Sequence, residues 1–266
     1  MFSLVLTLLL LLSVSLPDAV RAREIERQPL GRPGSQPGRN PERLGAPAPG
    51  QDVVPLVVGS SIIVPDKTLE RQQYQDAVYS TLLAQLASDK KLGHKNPTQW
   101  YSNYNDVTGH LGWTIETFDT FSKYQQRASK VDLSTVVSET LNSSGKLTAT
   151  ELAAVEKSTA ALRQSVNRSP LSVFNNRSKL GKSGIFQVAV VSNDGGVLRL
   201  KFGSYYYAST VEESSVLFFP WSARSLTVYA RVQVLELNEE VYNQLRSVVA
   251  QKLEKYRNLM IKPIKV

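Results

Sequence analysis

The chain has no cysteine among its 266 residues. That absence excludes a disulfide framework, a thiol nucleophile and any cysteine-held zinc or iron–sulfur site. Histidine is nearly as scarce: only His94 and His110 are present, and no H-E-x-x-H or G-x-S-x-G pattern accompanies them. Past the first 16 residues, no stretch approaches the roughly 18 apolar residues that a membrane-spanning helix requires. The run Leu180-Gly181-Lys182-Ser183 resembles the end of a phosphate-binding loop, but Asn176 stands where the loop's first glycine belongs and no apolar strand precedes it. No cofactor is expected.

Other segments carry positive signals. Leu4 to Leu12 is almost unbroken apolar sequence, followed by Ser13 to Leu16 and Pro17. This is the outline of the apolar core and boundary of a secretory leader, too short to cross a bilayer and stay; the alternative is a buried apolar helix. Val20 and Ala22 place modest side chains where the leader peptidase needs them, so residues 1–22 are read as the leader and Arg23 as the mature N-terminus. The expected location is secreted, extracellular. Export without cysteine requires stability to come from the core, which roughly 200 residues can supply.

The formal charge is +8, and removing the leader with its Asp18 and Arg21 leaves that balance unchanged. A basic exported protein is drawn to anionic surfaces, lipid or polysaccharide. The basic residues are dispersed, and the densest group, Arg246, Lys252, Lys255, Arg257, Lys262 and Lys265 against Glu239, Glu240 and Glu254, reads as a solvated helix face and a frayed tail more readily than as a dedicated patch. Nothing has the pattern of a zinc finger or RNP motif, so nucleic acid is not an expected partner.

Residues 23–52 alternate proline and glycine with scattered Arg and Glu and cannot bury enough apolar surface to order themselves. With the β-branched pieces Val53–Val58 and Ser60–Pro65, read as extended chain or an edge strand, they make a tail over 23–65. From Asp66 the apolar period becomes 3.6: Leu69, Tyr74, Ala77, Val78, Leu82 and Leu86 form a stripe, with Asp66 or Thr68 as cap and Gly93 as stop. Trp100 to Tyr124 holds ten large apolar or aromatic residues in 25 positions, read as helices kinked around Gly109 and Gly112. Val131–Leu141 and Leu147–Leu162 read as two more helices.

After Gly184 the period becomes 2. Ile185–Val191, an Asp194-Gly195 turn, Val197–Phe202, Ser215–Phe219 and Ser225–Leu235 read as four antiparallel strands. Asn238 caps a final helix striped by Val241, Leu245, Val249 and Leu253. The expected fold is therefore α+β: an N-terminal bundle of about four helices packed with a four-stranded antiparallel sheet and a C-terminal covering helix. It forms one domain over 66–266, with a helical half at 66–165 and the sheet plus helix at 184–266.

The chemistry is sparse. Thr140 to Glu151 has the outline of an EF-hand, with Thr140, Asn142, Ser144 and Glu151 at ligand positions, but Glu151 is its only carboxylate and calcium needs several anionic oxygens. A helix–turn–helix in which Thr148 and Glu151 make a capping box is the simpler reading, and no metal is expected. His110 with Asp106 and Glu116 could form a carboxylate–histidine pair, or His110 could be a core-edge residue. Glu212-Glu213 are adjacent in a loop and poorly spaced for glycoside cleavage. Asn142 and Asn176 head glycosylation sequons in expected turns. Tyr205, Tyr207 and Trp221, with Lys252, Lys255 and Arg257, are candidate surface contacts; the aromatics are core residues instead if helices cover both faces of the sheet.

No complete reactive constellation emerges, so enzyme activity ranks below binding. The first functional expectation is a secreted, basic, non-enzymatic interaction or effector protein with an extracellular partner. The alternatives are a membrane-active, toxin-like protein binding anionic lipid, and a secreted hydrolase.

Overall fold

A computed structural model describes residues 18–31, 53–67, 69–125, 128–212, 216–218, 220–222 and 224–266. The apolar run Leu4–Leu12 expected to belong to a leader, residues 32–52 of the expected tail, Thr68, Glu213 and Phe219 lie outside the described residues. Eight helices are described: α1 (Asp18–Arg27), α2 (Arg71–Leu92), α3 (Pro97–His110), α4 (Leu133–Ser143), α5 (Ala149–Gln164), α6 (Ser169–Ser178), α7 (Glu239–Lys252) and α8 (Glu254–Met260). The strands are β1 (Leu56–Val58), β2 (Ser61–Pro65), β3 (Trp113–Phe118), β4 (Ser122–Lys123), β5 (Lys130–Val131), β6 (Lys179–Leu180), β7 (Ser183–Asp194), β8 (Val197–Ser209), β9 (Trp221–Ser222), β10 (Leu226–Leu237) and β11 (Ile261–Pro263).

The structure corrects both halves of the expected fold: the described helices are divided between the two faces of one sheet rather than gathered in an N-terminal four-helix bundle, and the sheet is not one of four antiparallel strands. Nine strands join in the order β11-β1-β2-β7-β8-β10-β3, with β4 on β10 and β6 on β7, and the β2–β7 pairing is parallel. The hairpin of β7 and β8 turns through Gly195 and Gly196, both at positive φ, and pairs Asp194 with Val197 in continuous register to Ser183 with Ala208. β10 continues the sheet from Leu226 opposite Ser209 to Glu236 opposite Arg199. Val216–Phe218 is not in a strand; Trp221–Ser222 pairs instead with Lys130–Val131.

Three further differences have local causes. Leu56–Val58 and Ser61–Pro65, expected as loose or edge chain, are inner strands. Val57, Val58, Ile62 and Ile63 are all fully buried, which suits β-branched side chains covered on both faces. Gly59 turns between them at φ 57, where a side chain would strike Gln85 Oε1 at 2.2 Å. Trp113–Phe118 is a strand rather than helix: Gly112 at φ 92 ends α3, and the β-branched Thr114, Ile115 and Thr117 suit an extended chain beside β10. The C-terminus is not a frayed tail, because Ile261–Pro263 forms a ladder with β1.

Helices cover both faces of the sheet, giving two cores. Leu82, Leu83, Trp100, Tyr101 and Tyr104 of α2 and α3, with Tyr242, Leu245 and Val249 of α7, pack on Ile185, Leu198, Leu200 and Phe202. On the opposite face Val136, Val137, Leu141, Val155, Leu162 and Phe174 of α4, α5 and α6 pack on Phe186, Val188, Val190 and Val228. Ile25 of α1 is fully buried against the first core. Among the described residues no helix is long and apolar enough to cross a membrane.

Candidate functional site

Side-chain alternation gives the three long strands two chemically different faces. Toward α4, α5 and α6 point Phe186, Val188 and Val190 of β7, Tyr205 and Tyr207 of β8, and Leu226, Val228, Ala230 and Val232 of β10. The band from Leu226 to Val234 spans roughly 25 Å at strand rise. It ends in charge: Lys201, 7% exposed, gives Glu151 Oε1 a hydrogen bond at 2.8 Å and lies 3.0 Å from Asp194 Oδ2. Arg199 bonds Glu236 at 2.9 Å and pairs with Glu116 at 3.3 Å. Burial pushes the Asp194 carboxyl up, but the hydrogen bond and charge of Lys201 outweigh it and hold the group below its ordinary 3.8. Lys201 is likewise pushed down by burial and raised further by Glu151 and Asp194, ending above 10.5.

The face toward α2 and α3 carries a buried polar row. Ser61, Gln187, Ser204 and Arg231 stand opposite one another across β2, β7, β8 and β10. Gln85 Nε2 of α2 donates to Ser61 Oγ at 2.7 Å, and Ser61 Oγ donates to Gln187 Oε1 at 2.8 Å. The Tyr101 hydroxyl lies 2.8 Å from the carbonyl oxygens of Phe186 and Tyr205 and accepts from Tyr205 N at 3.1 Å. Burial drives its pKa far above the tyrosine range. Arg231 stacks 4.5 Å over Phe121 and 5.3 Å over Tyr101, and burial lowers it to about 10, so it remains charged at neutral pH.

The sequence candidates are not brought together. His110 is half-buried at the end of α3, Asp106 one turn earlier is exposed, and Glu116 is engaged by Arg199; neither carboxylate is a hydrogen-bond or ion-pair partner of His110. His94 bonds Asp89 at 3.0 Å, and the same carboxylate takes Trp100 Nε1 at 2.9 Å and Arg177. In the EF-hand-like loop, Thr148 Oγ1 accepts from Glu151 N and Glu151 Oε2 from Thr148 N, the capping box, and the other carboxylate oxygen faces Lys201. Thr140, Asn142 and Ser144 lie at the end of α4 and in the following turn, with the Ser144 hydroxyl donating to Leu141 O at 2.7 Å. No group of three or more acidic or histidine side chains able to hold a metal occurs among the described residues.

Tyr205, Tyr207 and Trp221 are core residues, because covering helices enclose both faces of the sheet; Trp221 Nε1 donates to Val216 O. Lys252 donates to Glu26 O at 2.8 Å, Arg257 to the Tyr79 hydroxyl at 3.0 Å, and Lys255 lies 5.2 Å over the Tyr256 ring. Asn142 and Asn176 are exposed, and both lie within helices, α4 and α6, rather than in turns. The sequence reading missed Lys201 as partner of Glu151. Its one signal was a lysine between Leu200 and Phe202 on a strand where the opposite face had to be covered too.

No protein-family model matches the chain, and no curated protein matches it in sequence. Among solved structures, a delta-endotoxin overlaps at 14% identity over 79% of this chain and 96% of its own, with a TM-score of 0.41. The structure of the Evf virulence factor overlaps at 14% identity over 77% of this chain and 84% of its own, with a TM-score of 0.34. At that distance neither fold nor function transfers to this chain.

Proposed function

We propose that the protein is a secreted, basic, non-enzymatic effector whose target is an anionic lipid membrane. The carrying observation is the long central sheet: strands of 12, 13 and 12 residues, apolar over about 25 Å on one side, with a buried polar row crossing an otherwise apolar face on the other. Strands of 9–11 residues suffice to span a bilayer as a sheet, with an apolar face toward lipid and polar side chains away from it. In the soluble form α4, α5 and α6 cover the apolar face. Because the chain has no cysteine, no disulfide ties that layer down. The charge of +8 supplies attraction to anionic headgroups. Export is part of the same proposal, with Arg23 as the mature N-terminus.

The test is release of an encapsulated dye. Vesicles containing phosphatidylglycerol are expected to leak, with leakage suppressed in high salt and much weaker for pure phosphatidylcholine. Neither leakage nor binding over a thousandfold range of protein would sink the reading.

A further inference from the structure

We propose that the groove between α5 and the last residues of the chain is a site for the phosphate-bearing headgroup of an anionic phospholipid. Two adjoining hollows, of about 560 and 750 Å³, share Lys157 and Val266. The first has walls of Val53, Val64, Leu69 and Ala154 and carries Lys67 at its rim. The second continues along α5 past Ala161 to Val166 and Lys265. Lys67, Lys157 and Lys265 are exposed, and among the described residues none has an ion-pair partner. The anionic groups of the groove are Asp66, which accepts from Lys67 N at 2.7 Å, and the α-carboxylate of Val266, and Arg71, in the first hollow, adds a fourth cation.

The combination selects the occupant. Lys67 and Lys157 line the first hollow and Lys157 and Lys265 the second, so each offers a pair of ammonium groups to an anion with several oxygens, and phosphate meets that need. A free phosphate has no use for apolar walls, whereas a phospholipid brings both the anion and a hydrocarbon chain to lie against Val64, Leu69 and Ala154. The rim adds a second mark: Val166 is 98% exposed and Val266 53%, beside Lys157 and Lys265. Bare apolar side chains flanked by unpaired lysines suit the boundary between headgroups and acyl chains. The site rests on the membrane reading and gives it a point of first contact, on the same helical layer that covers the apolar face.

The experiment compares the full-length protein with K67Q/K157Q/K265Q and with K90Q/K95Q/K182Q, which removes the same charge at exposed positions elsewhere. Circular dichroism checks that each variant is folded. Co-sedimentation with vesicles containing phosphatidylglycerol is expected to weaken about a hundredfold for the first triple variant and less than tenfold for the second. Titration with dihexanoyl phosphatidylglycerol should show saturable binding that the first variant loses and inorganic phosphate does not reproduce. Equal loss in both variants, or none in the first while wild type binds, overturns the site and leaves the membrane reading standing. Binding of inorganic phosphate as tightly as the short-chain lipid overturns the lipid as occupant. A wild type that ignores every vesicle removes both.

Discussion

Glu151 and Lys201 are nearly buried charges that hold α5 to the top of β8, so removing one partner strands the other. Glu151→Ala is expected to lower unfolding free energy by about 3 kcal/mol in urea titration, and Glu151→Leu combined with Lys201→Met to recover most of that loss. The pH dependence has a definite sign. Asp194 lies below its ordinary 3.8 in the fold, so its contribution is present above that pH and disappears on acidification through the lower folded value. Lys201 lies above 10.5, so its contribution is full below that pH and is lost as pH rises past the folded value. The cluster therefore works across the neutral range, and urea midpoints of wild type and Lys201→Met should converge at both extremes. Gly112 poses a different constraint: at φ 92 an added Cβ meets the Val241 side chain at 3.1 Å and Asn238 O at 3.2 Å. Gly112→Ala should cost about 1–3 kcal/mol in the same assay.

At the scale of elements, the hairpin of α4 and α5, together with α6, is the cover that must leave if the apolar sheet face is to meet lipid. It is fastened at its turn, where Lys146 Nζ bonds Asp119 at 2.6 Å and Val232 O at 3.2 Å and Glu151 faces Lys201. Thr148→Ala removes the cap of α5 and should cost about 1 kcal/mol. It should also speed dye release at fixed protein concentration; slower release from a folded variant would count against uncovering. These elements were legible in the sequence to unequal degrees. The hairpin of β7 and β8, the caps Thr148 and Asn238 and the stop at Gly93 follow from local chemistry, and the structure has them. The inner position of Val57 and Ile62 was not legible, because a continuous apolar run looks the same whether its partner is parallel or absent. Trp113–Phe118 was drawn toward helix by aromatic density, although its three β-branched residues fit the strand it forms. The apolar face of the sheet could be read from Val228, Ala230 and Val232, but not the buried Lys201 within it, since pairing with Glu151 depends on how α5 docks. The lysine groove draws on residues 67, 157 and 265, which only the fold brings together.

For the whole molecule, the proposed export would draw on the same N-terminal helix that packs on the fold. Cleavage after Ala22 would divide α1, detaching Arg21, whose Nη1 lies 3.5 Å from Gly109 O. The part retained includes Ile25, fully buried, the Glu26 carbonyl that accepts from Lys252, and Gly31, whose N–H reaches Leu86 O at 3.1 Å. Five residues, Arg23–Arg27, are too few to be helical by propensity, so tertiary contact through Ile25 must hold them. A protein exported from a secretory host should begin at Arg23 by mass spectrometry and unfold at a urea midpoint close to, and not above, that of the chain from residue 1, because Ile25 is kept while Arg21 and the half-buried Ala22 are lost. A chain begun at Val53 loses Ile25 and should be less stable by about 2–4 kcal/mol. Equal stability of the chain begun at Val53 would show that the helix only rests on the domain. An exported protein that retains Met1 would remove the leader, and export would have to be explained some other way.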